Sequence, residues 1–276
     1  MDLIYKMQKE LIRRKYSPKT IKSYTYAIKQ FLKKCQKEPK KITKKDIKDY
    51  LYNLSLTNIS ESTLNLQLQA IKFTLKNILN KQYVLEIQPA RTKNILPTVL
   101  TQEEVILLLN AIKNKKHKLM IELLYSAGLR VSEVTKLKVN HLELKNNFGW
   151  VRQGKGNKDR MFIIAKKLNK KIKQHIEENN LEPENYLFKG QRKHISVRTI
   201  QVIIKKAAKK AKLTKNVHPH TLRHSFATHL IENNYDLQTV QNLLGHESPK
   251  TTMIYVHLAT PKLLNVKSPL DTLLNP

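Results

Sequence analysis

His220 and Arg223 lie three residues apart in the sequence. On a helix, residues at this spacing share one face, so both side chains can approach the same anion. The planar guanidinium of Arg223 suits a phosphate because its nitrogens can donate two parallel hydrogen bonds. Arg130 follows Gly128 at the predicted start of another helix, where backbone N–H groups also favour an anion. Taken alone, Arg130 is more simply explained as a surface residue paired with Glu133.

Three other segments carry side chains that can act on a phosphate. Lys155 and Lys158 lie in a turn rich in glycine and asparagine, where a lysine can reach a phosphate or protonate a leaving oxygen. His246 follows Gly245, the predicted end of a helix, and can donate a hydrogen bond to an anion. Tyr255 is one of 11 tyrosines, and its hydroxyl is a weak nucleophile unless cations and a base surround it. Each residue also has an ordinary structural explanation.

A metal site is the main alternative for the histidine-rich segment. His218, His224 and His229 lie near His220, but no cysteine and few carboxylates accompany them. Catalytic metal sites usually have a fuller ligand set, so we expect no metal. His224 and His229 are interpreted as helix residues with satisfied hydrogen bonds rather than as ligands. Residues 154–156 do not match the phosphate loop of nucleotide-binding proteins. The sequence therefore predicts no cofactor.

The order and spacing of these segments resemble the tyrosine recombinase (phage integrase) family, especially its Xer-type site-specific recombinases. The segments that look like the family's signature boxes are residues 126–133, 219–229 and 244–246. Residues 17–24 also look like the family's core-binding helical domain, so the resemblance covers nearly the whole chain. The main departure from the family is the very high lysine content.

The resemblance implies a role for each candidate residue. Tyr255 is the expected nucleophile, forming a 3′-phosphotyrosine. The residues expected around the scissile phosphate are Arg130, His220, Arg223 and His246. Lys155 is the expected general acid on the leaving 5′ oxygen, with Lys158 as a close competitor, and Glu133 is a supporting residue. The implied reaction needs neither metal nor ATP. Its implied partners are double-stranded DNA with a specific recombination site and three further copies of the chain, forming a homotetramer on paired sites.

Composition supports a nucleic-acid partner. The 276 residues include 52 lysines and arginines against 21 aspartates and glutamates, a formal net charge of +31. Binding to phosphates releases counterions and is the commonest reason for such a charge. The alternatives are an anionic membrane surface and a genome rich in lysine codons. Cys35 is the only cysteine, and no segment is apolar enough for a signal peptide or a membrane span, so we expect a cytoplasmic protein without membrane contact.

Apolar residues at helical spacing predict a mainly α protein. Four helices ending near Lys81 predict an N-terminal bundle, which the resemblance identifies as the SAM-like core-binding domain. The helices predicted after it cover residues 102–113, 117–127, 131–137, 166–179, 197–211, 221–233 and 237–244, with a short one around Tyr255. Between them, β-favouring residues on both sides of the turn at 154–159 predict a hairpin, and hence a small antiparallel sheet.

These elements divide the chain into a core-binding DNA-binding domain at 1–85, a linker at 86–100 and a catalytic domain with a C-terminal tail at 101–276. The linker prediction comes from the loss of periodicity and from Pro89 and Pro97. Apolar residues between 263 and 274 suit packing of the tail into a neighbouring copy, which is the preferred interpretation. The alternative is that the tail folds back on its own domain.

The expected function is strand exchange between two DNA sites, with resolution of chromosome dimers as the preferred role. Integration of a mobile element differs only in its substrate, which these residues do not encode. Three other readings stay open at this point. They are a nicking and closing enzyme of the type IB topoisomerase kind, a metal-dependent nuclease, and an architectural DNA-binding protein with a silent site.

Overall fold

The chain forms two compact units, Met1–Ile95 and Leu96–Pro276. A computed structural model describes residues 2–91, 96–152, 154, 159–191, 193–245 and 249–258. The α-helices of the N-terminal unit are α1 (Leu3–Arg13), α2 (Pro18–Cys35), α3 (Lys44–Ser55) and α4 (Glu61–Leu79), with short 3-10 turns at Pro39–Lys41 and Gln82–Glu86. The four-helix bundle predicted from the sequence is therefore present.

The helices of the N-terminal unit begin where the sequence places a capping residue. The side chain of Ser17 accepts a hydrogen bond from the backbone of Thr20, 3.1 Å away, and proline follows at the first helical position. Thr43 and Asp46 form a reciprocal capping box at the start of α3. The apolar faces then meet in one core that includes Met7, Phe31 and other buried side chains of all four helices.

The segment predicted as a linker packs against the units at both of its ends. Ile87 is buried in the N-terminal core, and the Asn65 side chain exchanges two hydrogen bonds, of 2.7 and 2.9 Å, with the backbone of Ala90. Leu100 is fully buried in the C-terminal core, and its N–H donates to Ser225 Oγ at 2.9 Å. The domain limits at 85 and 101 stay a prediction.

The C-terminal unit is mostly helical. Its helices are α5 (Gln102–Asn110), α6 (Lys115–Ser126), α7 (Val131–Thr135), α8 (Lys166–Glu178), α9 (Val197–Lys210), α10 (Pro219–Glu232), α11 (Leu237–Leu244) and α12 (Pro249–Leu258). A large core joins α5 to α10 and the sheet, and a smaller cluster joins α10, α11 and α12. Helix α7 ends at Thr135 rather than at the predicted 137, because the chain turns there to pair the Leu137 carbonyl with Leu187 N–H, 2.7 Å away.

The sheet has three antiparallel strands in the order β1 (Leu142–Glu143), β2 (Phe148–Val151) and β3 (Arg160–Ile163). Strands β2 and β3 form the predicted hairpin, in a register that places Val151 opposite Arg160. Strand β1 was not predicted, since two residues are too few to show a period of two.

Among the residues that the structure describes, no helix is both long and apolar enough to cross a membrane. The predicted apolar tail at 263–274 lies outside the described residues.

Candidate active site

Arg130 lies at the N-cap of α7, immediately after a tight turn at the end of α6. Gly128 makes this turn with a φ of +57°, in the left-handed region that favours glycine. Arg130 donates from its backbone N–H to Glu133 Oε2 at 2.7 Å and from Nη1 to Glu133 Oε1 at 2.8 Å. The Glu133 side chain is only 7% exposed and that of Arg130 is 21% exposed. The pair therefore orients a guanidinium that solvent can still reach.

Arg223 lies in the first half of α10 and is buried. Its Nη1 donates to the carbonyl of Gly128, and its Nη2 donates to the carbonyl of Leu244, both at 2.5 Å. Burial, and then the nearby Arg130, lower the pKa of Arg223 to about 9. The guanidinium is still charged at neutral pH, and two backbone carbonyls from the ends of α6 and α11 fix its plane.

His220 lies one turn before Arg223 on the same helix and is exposed enough to meet a ligand. Burial lowers its pKa, and electrostatic interactions with His218, Arg223 and Arg130 lower it further. The imidazole is therefore neutral at pH 7 and can donate one hydrogen bond from its protonated nitrogen. This is the face-sharing arrangement that the spacing of His220 and Arg223 predicted.

Tyr255 lies on α12 with only 2% of its surface exposed. Its ring packs in the small cluster with Phe226 of α10 and Leu244 of α11. Its hydroxyl oxygen lies 3.0 Å from His224 Nδ1, and the two groups share a hydrogen bond. Burial raises the pKa of Tyr255, while Arg223 and Arg130 act in the opposite direction. The hydroxyl is thus protonated at neutral pH and close to two cations.

His224 and Arg160 are two residues of this site to which sequence reasoning gave no role. His224 was interpreted as a helix residue with satisfied hydrogen bonds, and the partner of its Nδ1 is Tyr255, 31 residues away in the sequence. Burial lowers the pKa of His224 to about 4. Its position four residues after His220 on one helix was the available signal. Arg160, at the start of β3, donates from Nη2 to Glu133 Oε2 at 2.6 Å. No pattern in the sequence indicated this contact.

Three of the predicted site residues cannot be placed. Lys155, Lys158 and His246 lie outside the described residues. Their described neighbours Arg160 and Gly245 lie within the site, since Arg160 bonds Glu133 and the Gly245 carbonyl lies 3.4 Å from Arg130 Nη2.

Within the described ranges, no group of three or more histidine, cysteine, aspartate or glutamate side chains is arranged to hold a metal ion. His229, one of the histidines considered as a ligand, has its Nδ1 2.8 Å from the Tyr125 hydroxyl. Glu133, a carboxylate of this site, is already shared between Arg130 and Arg160. The described site therefore combines guanidinium groups, imidazoles, one shared carboxylate and a tyrosine.

Helices α7, α10 and α12 bring together five predicted site residues that lie up to 125 residues apart in the sequence. These residues are Arg130, Glu133, His220, Arg223 and Tyr255. Cationic groups held next to a buried tyrosine can bind an anion beside a hydroxyl that is able to act as a nucleophile. The sequence of this chain is similar to the sequences of proteins whose family is known. The phage integrase family model matches residues 98–261, and the model of the phage integrase N-terminal SAM-like domain matches residues 3–84.

Relatives match the chain over most of its length. Tyrosine recombinase XerA of Pyrococcus horikoshii is 36% identical over 251 residues, which cover 90% of this chain and 86% of that protein. A tyrosine recombinase of Thermosipho africanus is 32% identical over 274 residues, covering 94% and 96%. The crystal structure of XerH recombinase bound to palindromic difH substrate, a post-cleavage complex, has a TM-score of 0.76 at 25% identity, covering 91% of this chain and 80% of that one.

The chain therefore belongs to the phage integrase family and is a tyrosine site-specific recombinase. The resemblance stated from the sequence is confirmed. So is the mainly α fold with a SAM-like N-terminal domain and a small antiparallel sheet. The roles of the individual site residues stay predictions.

Proposed function

We propose that this recombinase binds double-stranded DNA at a specific site in the cytoplasm and cleaves one strand through Tyr255. The product is a 3′-phosphotyrosyl bond and a free 5′ hydroxyl. The observation that carries the proposal is the set of contacts that orient two guanidinium groups and the tyrosine. Arg130 is held by Glu133, Arg223 is held by two carbonyls at 2.5 Å, and the Tyr255 hydroxyl lies 3.0 Å from His224 Nδ1. The net charge of +31 suits a polyanionic partner.

The proposed chemistry adds negative charge to the non-bridging oxygens of the phosphate. Hydrogen-bond donors placed where this charge develops usually make the largest contribution to catalysis in such sites. The proposed donors are Arg130, His220, Arg223 and His246. Since Glu133 fixes Arg130 and two carbonyls fix Arg223 before the reaction, the proposed site needs no divalent metal for charge neutralisation. Arg223 is the best fixed of the described donors, because two carbonyls hold it at 2.5 Å.

Each bond made in the proposed step is matched by one that breaks. The Tyr255 oxygen bonds to phosphorus, and the bond from phosphorus to the 5′ oxygen breaks. The tyrosine proton has an acceptor in His224 Nδ1, 3.0 Å away, in the tautomer that is protonated on Nε2. The leaving 5′ oxygen takes a proton from Lys155, or from Lys158 in the same turn. The phosphotyrosyl ester keeps the energy of the original bond, so rejoining needs no ATP.

The test is covalent trapping on a nicked duplex in EDTA. Duplexes are first selected from a random library by binding to the inactive Tyr255→Phe chain, then nicked next to the candidate cleavage position so that the cut end diffuses away. Wild type is expected to give a covalent protein–DNA band, and Tyr255→Phe is expected to give none. Tyr125→Phe is the matched control, because Tyr125 also bonds a histidine in this unit, at 2.8 Å.

The outcomes separate the alternatives. A band that persists in Tyr255→Phe means that another residue is the nucleophile. Cleavage that needs a divalent metal, is abolished by EDTA and leaves no covalent band supports a metal nuclease. Tight binding to the selected duplex without any band favours an architectural protein. A band with wild type and with Tyr125→Phe supports the proposed cleavage.

We further propose that four copies assemble on two paired sites and exchange strands, and that the role is resolution of chromosome dimers. The support is the similarity to XerA recombinases at 36% identity and to XerH in complex with difH. A supercoiled plasmid carrying two selected sites in direct repeat tests this. Two product circles indicate exchange between sites, whereas relaxation of a one-site plasmid at the same rate indicates a nicking and closing enzyme. A site that maps to the ends of a mobile element, rather than to a single chromosomal locus, indicates an integrase.

A further inference from the structure

Arg160 is a buried arginine that connects the hairpin to the candidate active site. Its side chain is 11% exposed, and its Nη2 lies 2.6 Å from Glu133 Oε2. The same carboxylate accepts from Arg130 twice, through Oε1 from Nη1 and through Oε2 from the backbone N–H. One glutamate is therefore shared between two guanidinium groups from different parts of the chain.

We propose that Arg160 is a positioning residue for cleavage: it sets the orientation of the Glu133 carboxylate, and through it that of Arg130, and it anchors the base of the β2–β3 hairpin to the site. The inference deepens the proposed function and rests on it, since Arg130 is a phosphate ligand only if the chain cleaves DNA through this site.

Competition for Glu133 is the first reason. With Arg160 bonded to Oε2, Arg130 keeps a single side-chain bond to Oε1, and its Nη2 lies at the long distance of 3.4 Å from the Gly245 carbonyl. Without Arg160, both carboxylate oxygens become available to the Arg130 side chain in a two-pronged pair. Such a pair would turn the donors of Arg130 towards Glu133 and away from a bound phosphate.

The anchoring of the hairpin is the second reason. Arg160 is the first residue of β3 and pairs with Val151 at the end of β2, so it closes the base of the turn that carries Lys155 and Lys158. Its stem lies against Gly245, where an added Cβ would fall 2.5 Å from Arg160 Cδ. One side chain therefore connects the hairpin to Glu133 and to the residue that precedes His246.

The third reason concerns the hydrogen bonding of the Arg160 guanidinium group. Within the described part of the chain, its Nε and Nη1 are buried without a hydrogen-bond partner. Burial lowers its pKa, and Arg130 adds to this shift while Glu133 opposes it. A buried cation in this state gives little stability compared with an apolar side chain of similar size. A role in orienting Glu133 explains why an arginine lies there.

The test compares Arg160→Met and Arg160→Lys with wild type, using the full chain on the selected nicked duplex. The measurements are the single-turnover rate of covalent complex formation at saturating DNA and the dissociation constant for the same duplex. We expect Arg160→Met to lower the rate ~100-fold, the size of effect that follows from misplaced catalytic groups, with the dissociation constant within ~3-fold of wild type. Arg160→Lys keeps the charge with one bond, so it is expected to recover part of the rate.

Arg152→Met is the matched control, because Arg152 also pairs with a carboxylate at 2.7 Å in this hairpin but is 50% exposed and does not contact Glu133. It is expected to cleave within ~3-fold of wild type, the range for an exposed ion pair. Because Glu133 still pairs with Arg130 in Arg160→Met, we expect this variant to stay folded under the assay conditions, which thermal unfolding checks. The double variant Arg160→Met, Glu133→Gln should lose less than the sum of the single losses, because both act on Arg130.

The inference is overturned if Arg160→Met cleaves within ~3-fold of wild type, or if Arg152→Met loses as much as Arg160→Met. Equal losses in rate and in DNA affinity also overturn it, because they indicate a general binding defect. These results leave the proposed function standing as long as wild type forms the covalent complex. A wild type that forms none removes the proposed function and this inference together.

Discussion

Replacement of Gly128 by alanine tests whether the turn between α6 and α7 is packed as tightly as the structure indicates. A Cβ built on Gly128 would lie 2.3 Å from Phe226 Cδ1 and 3.2 Å from Leu244 Cδ2. The φ of +57° adds backbone strain of about 1–2 kcal/mol for an alanine. Overpacking against the phenylalanine ring adds about 1–3 kcal/mol. We therefore expect Gly128→Ala to lower the free energy of unfolding by about 2–5 kcal/mol.

The assay is equilibrium unfolding in urea, with the free energy extrapolated to water. Asn180→Ala is the matched control, because Asn180 has a φ of 45° on the exposed surface of the same unit and so reports backbone strain alone. The double variant Gly128→Ala, Phe226→Leu should recover the part of the lost free energy that comes from overpacking. The part that comes from backbone strain at residue 128 should remain. If Gly128→Ala lowers the free energy of unfolding by no more than Asn180→Ala does, the Phe226 ring moves aside without cost and the reasoning is wrong.

The same substitution has a functional consequence. The Gly128 carbonyl accepts from Arg223 Nη1 at 2.5 Å, and Gly128 is two residues before Arg130. A shift of this turn therefore moves both guanidinium groups. Under conditions in which Gly128→Ala is folded, its rate of covalent complex formation should still fall ~100-fold, the effect of misplacing catalytic groups. A wild-type rate in the folded variant would separate the turn from the chemistry.

Three further predictions follow from single contacts. Arg223→Lys keeps the charge but can bond only one of two carbonyls, so its single-turnover cleavage rate should fall ~100-fold or more; a fall under ~5-fold would contradict this. The free energy of unfolding should fall as the pH drops from about 6.5 to about 4, because unfolded His224 binds a proton first, and His224→Gln should reduce this slope in pH-dependent urea unfolding. Thr101→Ala removes the capping box at the start of α5 and should cost ~1 kcal/mol in thermal unfolding, against no change for a threonine that caps nothing.

Local patterns predicted most of the fold because they act over a few residues. Ser17, Thr43 and Thr101 cap the helices that the sequence indicated, since a side-chain oxygen needs only the N–H groups of the next turn. The hairpin was also local. Strand β1 was missed because Leu142–Glu143 is defined by its pairing with Phe148–Gly149 and has no sequence pattern of its own.

The contacts of the candidate site also divide into local ones, which the sequence predicted, and contacts between distant residues, which it did not. The pairing of Arg130 with Glu133 and the shared face of His220 and Arg223 follow from helical spacing, so the sequence predicted both. The bond between Tyr255 and His224 joins residues 31 positions apart and depends on how α10 meets α12. Periodicity carries no information on such a contact.

The three arginines of the site differ in the kind of partner that holds them, and this difference fits the proposed chemistry. Arg130 and Arg160 share one carboxylate, whereas Arg223 is held by the carbonyls of Gly128 and Leu244. Carbonyls at helix C-terminal ends carry partial negative charge and stabilise a cation without neutralising it. Among the described side chains, three guanidinium groups are thus accompanied by one carboxylate, and two positive charges are left over. A phosphodiester supplies one negative charge at rest and more as Tyr255 attacks, so the site is balanced only when its proposed substrate approaches the transition state.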